Sequence, residues 1–378
     1  MEIEARNSDY TKKYNRKLVL HLLRYQSLSR AEIARQTGLT RASTSLIASE
    51  LISDGSVYED VPVASQRGRS PTPLVLSASA GYAIGIYLNR DSCSLGLVDA
   101  RGNILSRQNI SLGSSSDETL QNLQRGVTAL LEHGGIPKQS ICGIGISAPG
   151  PLDSENGRIL NPPRFEHWHG MNIVEQLHQK TELPVHLANN AICLASYLCG
   201  RAESCGSRDF LLLLVDSGVG SGVVSDGKVF RSKNHFTSEI GHVSINSAGR
   251  PCACGNIGCL EEYAALPKLL SGSGFTNWAD VVDHLNESDS ARLLFQQEVD
   301  YLSAGVLNLC NLICIDAVFL AGDITYGGEK LAAAMEEIVN RRCIYHEQGR
   351  IRVCVPPAVE GIQILSAAEL PFSAELGL

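Results

Sequence analysis

Residues 239–263 read Glu-Ile-Gly-His-Val-Ser-Ile-Asn-Ser-Ala-Gly-Arg-Pro-Cys-Ala-Cys-Gly-Asn-Ile-Gly-Cys-Leu-Glu-Glu-Tyr. This stretch contains one imidazole and three thiols, which are the ligand types and the ligand number of a closed tetrahedral zinc site. Glycines at 255 and 258 let the loop turn its last cysteine back toward the first two. We therefore predict one structural zinc ion per chain, with four ligands: His242, Cys252, Cys254 and Cys259.

The three cysteines have two other interpretations. They are small apolar residues of a buried core, or they form disulfides. A polar, glycine-rich loop is a poor apolar core, and nothing else in the chain indicates an oxidising compartment. Zinc is therefore the favoured interpretation.

Two carboxylates flank these ligands. Glu239 precedes His242 by three residues, and Glu261 follows Cys259 by two. A metal ion that fixes the loop would fix both carboxylates, and carboxylates on a rigid turn are suited to accept hydrogen bonds from neighbouring hydroxyls. The pattern indicates a sugar or polyol as ligand; the alternative is that both are solvated surface charges.

The motif Glu-Ile-Gly-His followed by Cys-x-Cys-Gly-x-x-Gly-Cys-Leu-Glu resembles the signature of the ROK family, which groups sugar-responsive repressors with bacterial sugar kinases. The resemblance covers about residues 80 to 378. It implies that the His and the three Cys bind zinc, and that Glu239, His242 and Glu261 face a sugar. It also implies an actin-like, ribonuclease H-like body of two α/β lobes with the ligand between them.

The pattern after Gly81 fits such a body, because short apolar strands alternate with helical stretches and two related α/β halves are expected. Strands are predicted at 83–88, 94–99, 104–110, 141–147, 210–215, 222–224 and 317–321, and helices at 119–132 and 294–312.

Charge is distributed unevenly along the 378 residues. The net charge is −8, yet residues 1–80 hold 11 Lys and Arg against 8 Asp and Glu. The asymmetry indicates an anionic partner for the N-terminal segment. There is neither a signal pattern nor an apolar run of membrane-spanning length, so we expect a cytoplasmic protein with no membrane partner.

The N-terminal segment has the pattern of a helix-turn-helix. A helix is predicted over 15–25, and Ser29 with Glu32 forms a capping box that begins a second helix, which ends at Gly38. Thr40 caps a third helix over 41–54, in which Leu46, Ile47 and Leu51 are expected to face inward. Two helices joined by a short turn are typical of DNA-binding proteins.

The third helix and a hairpin after it supply the predicted DNA contacts. Strands at 57–63 and 73–76 flank the basic tip Ser65-Gln-Arg-Gly-Arg-Ser70, which is typical of a wing. Repressors of the ROK family carry a winged helix in this place; the alternative is a three-helix interaction module with solvated charges. The predicted contacts are Arg41, Ser43, Thr44, Ser45, Arg67 and Arg69.

Three parts of a ROK kinase are absent. Where those kinases have Asp-x-Gly-Gly-Thr, this chain has Tyr-Leu-Asn-Arg-Asp at 87–91, and Ala-Gly-Asp at 321–323 stands in place of a Gly-Gly pair. The catalytic Asp of Glu-Asn-Asp-Ala-Asn is replaced by Asn190, whose amide cannot take a proton from a sugar hydroxyl. We therefore expect no enzymatic activity.

The leading hypothesis is a repressor with residues 1–78 as a winged helix-turn-helix domain and 79–378 as a ROK body that includes the zinc loop 242–259. Its partners would be palindromic operator DNA, a sugar effector and a second copy in a homodimer or tetramer. The alternatives are a sugar kinase with a DNA-binding arm and a repressor controlled by a protein partner. The resemblance to the family motifs predicts sugar contacts from Asn189, Asn190, Glu239, His242 and Glu261. A looser match to the family's sugar-facing loop adds Asn161.

Overall fold

The chain folds as an N-terminal helix-turn-helix unit followed by a mixed α/β body of two sheets, as the sequence predicts. The computed structural model describes residues 8–61, 72–90, 92–163, 165–199, 201, 207–230, 239–345 and 349–376. Within these ranges no helix is both long enough and apolar enough to span a lipid bilayer.

The N-terminal unit consists of three helices and a small antiparallel sheet, in the strand order β1-β3-β2. Its core is a cluster of aliphatic side chains from all these elements, among them Val19, Ile33, Leu51 and Leu74. Its elements are α1 (Ser8–Tyr25), β1 (Leu28–Ser29), α2 (Arg30–Thr37), α3 (Arg41–Ser53), β2 (Val57–Glu59) and β3 (Pro73–Leu76).

Helix capping determines where α2 and α3 begin, and both predicted caps are confirmed. The backbone amide of Glu32 donates to the Ser29 hydroxyl at 3.3 Å, and the Glu32 carboxylate accepts from the Ser29 amide at 2.8 Å. The amide of Ser43 donates to the Thr40 hydroxyl at 3.1 Å. Gly38 has φ 72° and ends α2, where a residue with a side chain would be strained.

The predictions for this unit were wrong in several details. The first helix begins at Ser8, and the short strand β1 was not foreseen. Thr44 is only 1% exposed and its hydroxyl donates to the Thr40 carbonyl, whereas Leu46 is 60% exposed. The buried face of α3 passes through positions 44, 47, 48 and 51, so Thr44 packs inward and Leu46 faces out.

The first lobe is a five-stranded sheet with the order β10-β7-β4-β5-β6. Strands β4, β5 and β6 form an antiparallel meander, and β4, β7 and β10 are parallel. Its elements are β4 (Tyr82–Leu88), β5 (Cys93–Asp99), β6 (Ile104–Ile110), α4 (Ser116–His133), β7 (Ile141–Ala148), β8 (Leu152–Asp153), β9 (Arg158–Ile159), α5 (Ile173–Thr181) and β10 (Val185–Asn189).

The second lobe repeats this arrangement with the order β13-β12-β11-β14-β15, which confirms the prediction of two related halves. Helix α6 follows β10 and connects the first lobe to the second. Its elements are α6 (Asn190–Cys199), β11 (Phe210–Val215), β12 (Val219–Ser225), β13 (Lys228–Val229), α7 (Glu261–Ala264), α8 (Leu266–Leu269), α9 (Trp278–Asp283), α10 (Asp289–Cys310), β14 (Ala317–Ala321), α11 (Gly328–Arg342) and β15 (Arg352–Cys354).

A C-terminal helix, α12 (Ile362–Leu376), lies against the first sheet and α6. Two paired glycines make the close approach possible, because a Cβ on Gly85 would lie 2.0 Å from the Ile364 carbonyl oxygen and one on Gly145 would lie 1.8 Å from that of Ala367. Any side chain at either position would push α12 off the sheet.

Glu298 on α10 is a buried carboxyl with no hydrogen-bond partner for either oxygen. Burial raises its pKa well above the ordinary value of 4.5, so the folded protein keeps this proton at pH values where the unfolded chain has lost it. Folding then takes up a proton. Stability therefore falls with rising pH, by up to about 1.4 kcal/mol per unit between the unfolded and folded pKa values.

We expect Glu298→Gln to be more stable than the wild type, with an advantage that grows as the pH rises. The amide keeps the shape of the protonated carboxyl and has no proton to lose. Urea unfolding between about pH 5 and about pH 8 measures the difference. The exposed Glu132→Gln serves as control, and an advantage of Glu298→Gln that is constant with pH would contradict the assignment.

Candidate metal centre and ligand cleft

The four predicted metal ligands converge. One ligand atom from each of His242, Cys252, Cys254 and Cys259 lies within 4.8 Å of the other three. The Cys252 sulfur is 3.6 Å from His242 Nδ1, and the Cys254 and Cys259 sulfurs are 3.7 Å apart. In a tetrahedral zinc site the corresponding separations are about 3.5 Å and about 3.8 Å. A disulfide needs about 2.05 Å, so the cluster could hold a metal ion and its sulfurs are too far apart for a bond.

The loop that carries these ligands folds as its glycines allow. Gly255 and Gly258 have φ 92° and 74°, and a Cβ on Gly258 would lie 1.7 Å from the Asn246 carbonyl oxygen. Short bridges from Ser244 to Cys259 and from Pro251 to Ile257 close the loop on itself. Burial, together with the neighbouring Cys252 and Cys254, raises the pKa of the Cys259 thiol to about 12.

Beside the cluster lies a small cavity of about 70 Å³, which we call the inner cavity. Five of the six predicted sugar contacts line it, and His242 belongs to both the cavity and the metal cluster. The exception is Asn161, which is exposed and is not among the lining residues; the same loop contributes Pro163 instead. The five lining residues are Asn189, Asn190, Glu239, His242 and Glu261.

Two glycines give these side chains room. A Cβ on Gly150 would lie 2.7 Å from Asn189 Nδ2 and 3.6 Å from Glu239 Oε1, and one on Gly218 would lie 2.9 Å from Glu261 Oε2. The Glu261 carboxylate also accepts from the Val219 amide at 3.0 Å, which fixes its position.

Glu239 faces the cavity with an exposed side chain, although many protein atoms surround it. Desolvation raises the pKa of Glu239; the nearby His242 opposes this effect, and the Glu261 carboxylate adds to it. The two carboxylates therefore lie close enough to interact.

Two charged residues of the cavity, Arg90 and Asp216, were not predicted from the sequence. Arg90 follows β4, and its guanidinium donates to the Pro163 carbonyl at 2.9 Å and to the Ser217 hydroxyl at 3.1 Å, so it connects the two lobes. Asp216 follows β11 and accepts from the Gly218 amide at 3.1 Å. The available signal for both was a charged residue within two positions of the end of a buried strand.

Asn190, which the family motif aligns with the catalytic base of ROK kinases, has a buried amide that is already hydrogen-bonded. Asn190 is 7% exposed, and its Oδ1 accepts from the Ser147 hydroxyl at 2.6 Å. Tyr87, in the place of a phosphate-loop residue, accepts from Asn89 Nδ2 at 2.8 Å, and burial raises its pKa. Neither side chain is suited to remove a proton from a hydroxyl at neutral pH.

A larger space of about 960 Å³, the interlobe cleft, adjoins the inner cavity. Asn89, Asn190, Leu214 and Asp216 line both spaces. Residues of both lobes contribute to the cleft, and Ile362, Gln363 and Ser366 bring α12 into its wall.

Three of the four predicted DNA contacts on α3 are at least partly exposed, and Thr44 is buried. Arg41 and Ser45 are exposed and Ser43 is half-buried, while Arg67 and Arg69 lie outside the described residues. Several cations of the N-terminal unit have another role, because Arg24 is buried and three further cations form ion pairs within the unit: Lys12 with Glu50, Arg16 with Asp54 and Arg30 with Glu59.

A buried polar junction joins α1 to α12. The side chains of Arg24 and Glu369 are 5% and 2% exposed, and the Arg24 guanidinium donates to both carboxylate oxygens at 3.1 Å. Arg24 also donates to the Ala100 carbonyl and lies 3.8 Å from the centre of the Phe372 ring. The Tyr25 hydroxyl donates to Glu369 at 3.1 Å. The helix that borders the cleft therefore also holds the first helix of the N-terminal unit.

The known proteins that resemble this chain include a repressor, a transcriptional regulator and a hexokinase. The xylose repressor of Caldicellulosiruptor bescii is 28% identical over 390 residues, covering 97% of each chain. A solved structure described as a ROK family transcriptional regulator, homolog of the E. coli MLC protein, matches with a TM-score of 0.78 at 22% identity over 97% of both chains. The ROK hexokinase of Thermus thermophilus matches with a TM-score of 0.66 at 24% identity, over 78% of this chain and 99% of its own.

The two structural matches establish the fold alone, and they include both a regulator and a kinase of the same architecture. The family assignment comes from the sequence. The family model described as "ROK family" matches residues 83–361, well over half of the chain. Together with the motif at 239–261, this match shows that the chain belongs to the ROK family.

Proposed function

We propose that the protein is a transcriptional repressor whose affinity for operator DNA is controlled by a sugar bound, without catalysis, in the inner cavity. The observation that carries the proposal is the convergence of Glu239, Glu261 and Asn189 on one cavity in which the kinase base is replaced by Asn190. Carboxylates and amides accept and donate hydrogen bonds to hydroxyls, but no group there takes the proton. The relationship to a xylose repressor supports the regulatory role.

DNA binding is assigned to residues 1–78 and ligand binding to residues 79–378. Arg41, Ser43 and Ser45 on α3 would enter a major groove, with Arg67 and Arg69 beside it; Thr44 packs in the core and supports the helix. A homodimer would bind a palindromic operator, since one helix-turn-helix unit covers only a half-site. Binding to an operator requires the protein to be in the cytoplasm, where the chromosome is.

Control by the ligand needs a mechanical connection, and α12 supplies one. Its first turns line the interlobe cleft, and Glu369 in the middle of the helix binds Arg24 on α1. A sugar that binds one arrangement of the lobes more tightly would favour that arrangement and the placement of the DNA-binding units that goes with it. The equilibrium between the arrangements would shift only by the difference in their affinity for the sugar.

The His-Cys₃ cluster is assigned one structural Zn²⁺. The donor set and separations suit a closed tetrahedral site, and three thiolates can coexist there only beside a cation. His242 then contributes to both the metal site and the inner cavity, so the metal fixes the wall that carries Glu239 and Glu261.

The test starts with DNA selected from a random-sequence pool by the full-length, metal-loaded protein. A panel of pentoses, hexoses, amino sugars and their phosphates is then added to the complex. We expect one sugar to change DNA affinity at least about tenfold, the range typical of allosteric coupling. Glu239→Gln is expected to keep DNA binding and to lose the sugar response, because it removes a charged acceptor.

Glu262→Gln is the matched control, because Glu262 is next to Glu261 but pairs with Lys268 outside the cavity. It should leave the sugar response unchanged. If no sugar changes DNA affinity, control by a protein partner replaces this proposal. ATP-dependent phosphorylation of any sugar in the panel would refute the non-catalytic assignment.

A further inference from the structure

The inner cavity is much smaller than the pockets that usually bury a whole small molecule. Pockets that bury small molecules typically have about 300–1,000 Å³. The inner cavity has about 70 Å³, whereas the interlobe cleft has about 960 Å³. The two spaces share Asn89, Asn190, Leu214 and Asp216 as lining residues, so a ligand held at Glu239 and Glu261 can continue directly into the cleft.

The cleft is acidic. Its lining includes the carboxyl groups of Asp216, Asp323 and Glu329, and the described lining residues include no lysine, arginine or histidine. Asp323 and Glu329 are exposed to the space. Arg90 lies beside Asp216 and Ser217 at the inner end of the cleft, but an anionic ligand that extends past them would meet the carboxylates of Asp323 and Glu329, where the described lining residues supply no cation.

The rest of the lining is suited to sugar rings. The lining contains leucine and proline side chains together with amides and hydroxyls, a combination that suits a ring with apolar faces and a rim of hydroxyl groups. The apolar members include Leu194, Leu198, Leu212, Val355, Pro356 and Pro357, and the polar ones include Asn89, Ser92, Ser147, Thr325 and Gln363.

We propose that the effector is a neutral saccharide of at least two rings, with one ring in the inner cavity and the next in the interlobe cleft. This inference rests on the proposed function, because it specifies the size and charge of the effector. The second ring occupies the space between the lobes and reaches Gln363 on α12. A monosaccharide would leave this contact unmade.

Isothermal titration of the full-length, metal-loaded protein tests the size. The probes are cellobiose, xylobiose, lactose and N,N′-diacetylchitobiose, each compared with its constituent monosaccharides and with glucose 6-phosphate. We expect one disaccharide to bind at least about tenfold more tightly than either of its constituents. The phosphate should bind less tightly than glucose.

Ala358→Trp is the diagnostic variant. Ala358 is an exposed residue of the cleft wall, so tryptophan there fills the cleft without disturbing a core. It should remove the disaccharide advantage and leave monosaccharide affinity unchanged. Ala333→Trp, on an exposed position of α11 outside the cleft lining, is the matched control and should keep the advantage.

The outcomes separate this inference from the proposed function. If a monosaccharide binds through Glu239 and changes DNA affinity as well as any disaccharide does, the inference is wrong and the proposed function stands. Tighter binding of glucose 6-phosphate than of glucose also overturns it. If no saccharide of either size binds, the proposed function fails and this inference fails with it.

Discussion

Replacing Glu369 with alanine will lower the free energy of unfolding by about 3–5 kcal/mol, the usual cost of breaking a buried ion pair from one side. The variant leaves the Arg24 guanidinium, whose side chain is 5% exposed, without its carboxylate partner. Arg201, 3.7 Å from the same carboxylate, would lose that partner too. Urea unfolding of the full-length protein measures the effect.

Glu360→Ala is the matched control. Glu360 lies just before α12 and pairs with Arg107, but the two side chains are 81% and 57% exposed. Exposed pairs contribute about 0–1 kcal/mol, so this variant should unfold close to the wild type. A loss for Glu369→Ala no larger than that of Glu360→Ala would show that the junction is not sealed from water.

A double variant distinguishes the ion pair from the packing around it. Arg24→Met combined with Glu369→Leu removes both charges and keeps side chains of similar size. Its loss of stability should be smaller than the sum of the two single losses by about 1–3 kcal/mol, because neither charge is left unpaired. Additive losses would instead assign the stabilisation to the separate contacts of Arg24 with Ala100 and Phe372.

This junction was not predictable from the sequence. Arg24 and Glu369 are separated by 345 positions, and a single sequence gives no signal that pairs two such residues. Helix α12 was missed for a related reason, because it is apolar on most sides and contains Pro371, so neither amphipathic period nor composition identifies it. The sequence does contain the two glycines, Gly85 and Gly145, that make room for α12.

Local features, by contrast, were predictable where the chemistry is local. Helix caps at Ser29 and Thr40 depend on residues three positions away, and both are confirmed. The orientation of Thr44 was wrong because its neighbours along α3 are short or apolar and give an ambiguous face. Arg90 was noted only as part of the stretch 87–91 that differs from the kinase motif, and its contact with the second lobe could not be predicted without the fold.

The metal ligands lie within eighteen residues of one another, so their spacing in the sequence was enough to predict that they form one site. We expect the purified protein to contain one equivalent of zinc and Cys259→Ser to lose it. Cys259 is fully buried beside Cys254, and its serine hydroxyl is a poor substitute for a thiolate ligand. Metal analysis with thermal unfolding provides the measurement, and Cys314→Ser, at an exposed cysteine outside the cluster, is the control.

The size of the effect follows from what the metal stabilises. Structural zinc contributes apparent binding free energies of about 10–16 kcal/mol in small zinc-dependent folds, where binding and folding are one step. Here the rest of the core is large, so loss of zinc should unfold the loop 242–259 first. The unfolding midpoint of the whole chain should fall by less than it does in those small folds. Glu239 and Glu261 flank that loop, and His242 belongs to it. Sugar affinity should therefore fall at least about tenfold in Cys259→Ser; unchanged affinity would show that the carboxylates are positioned without the metal.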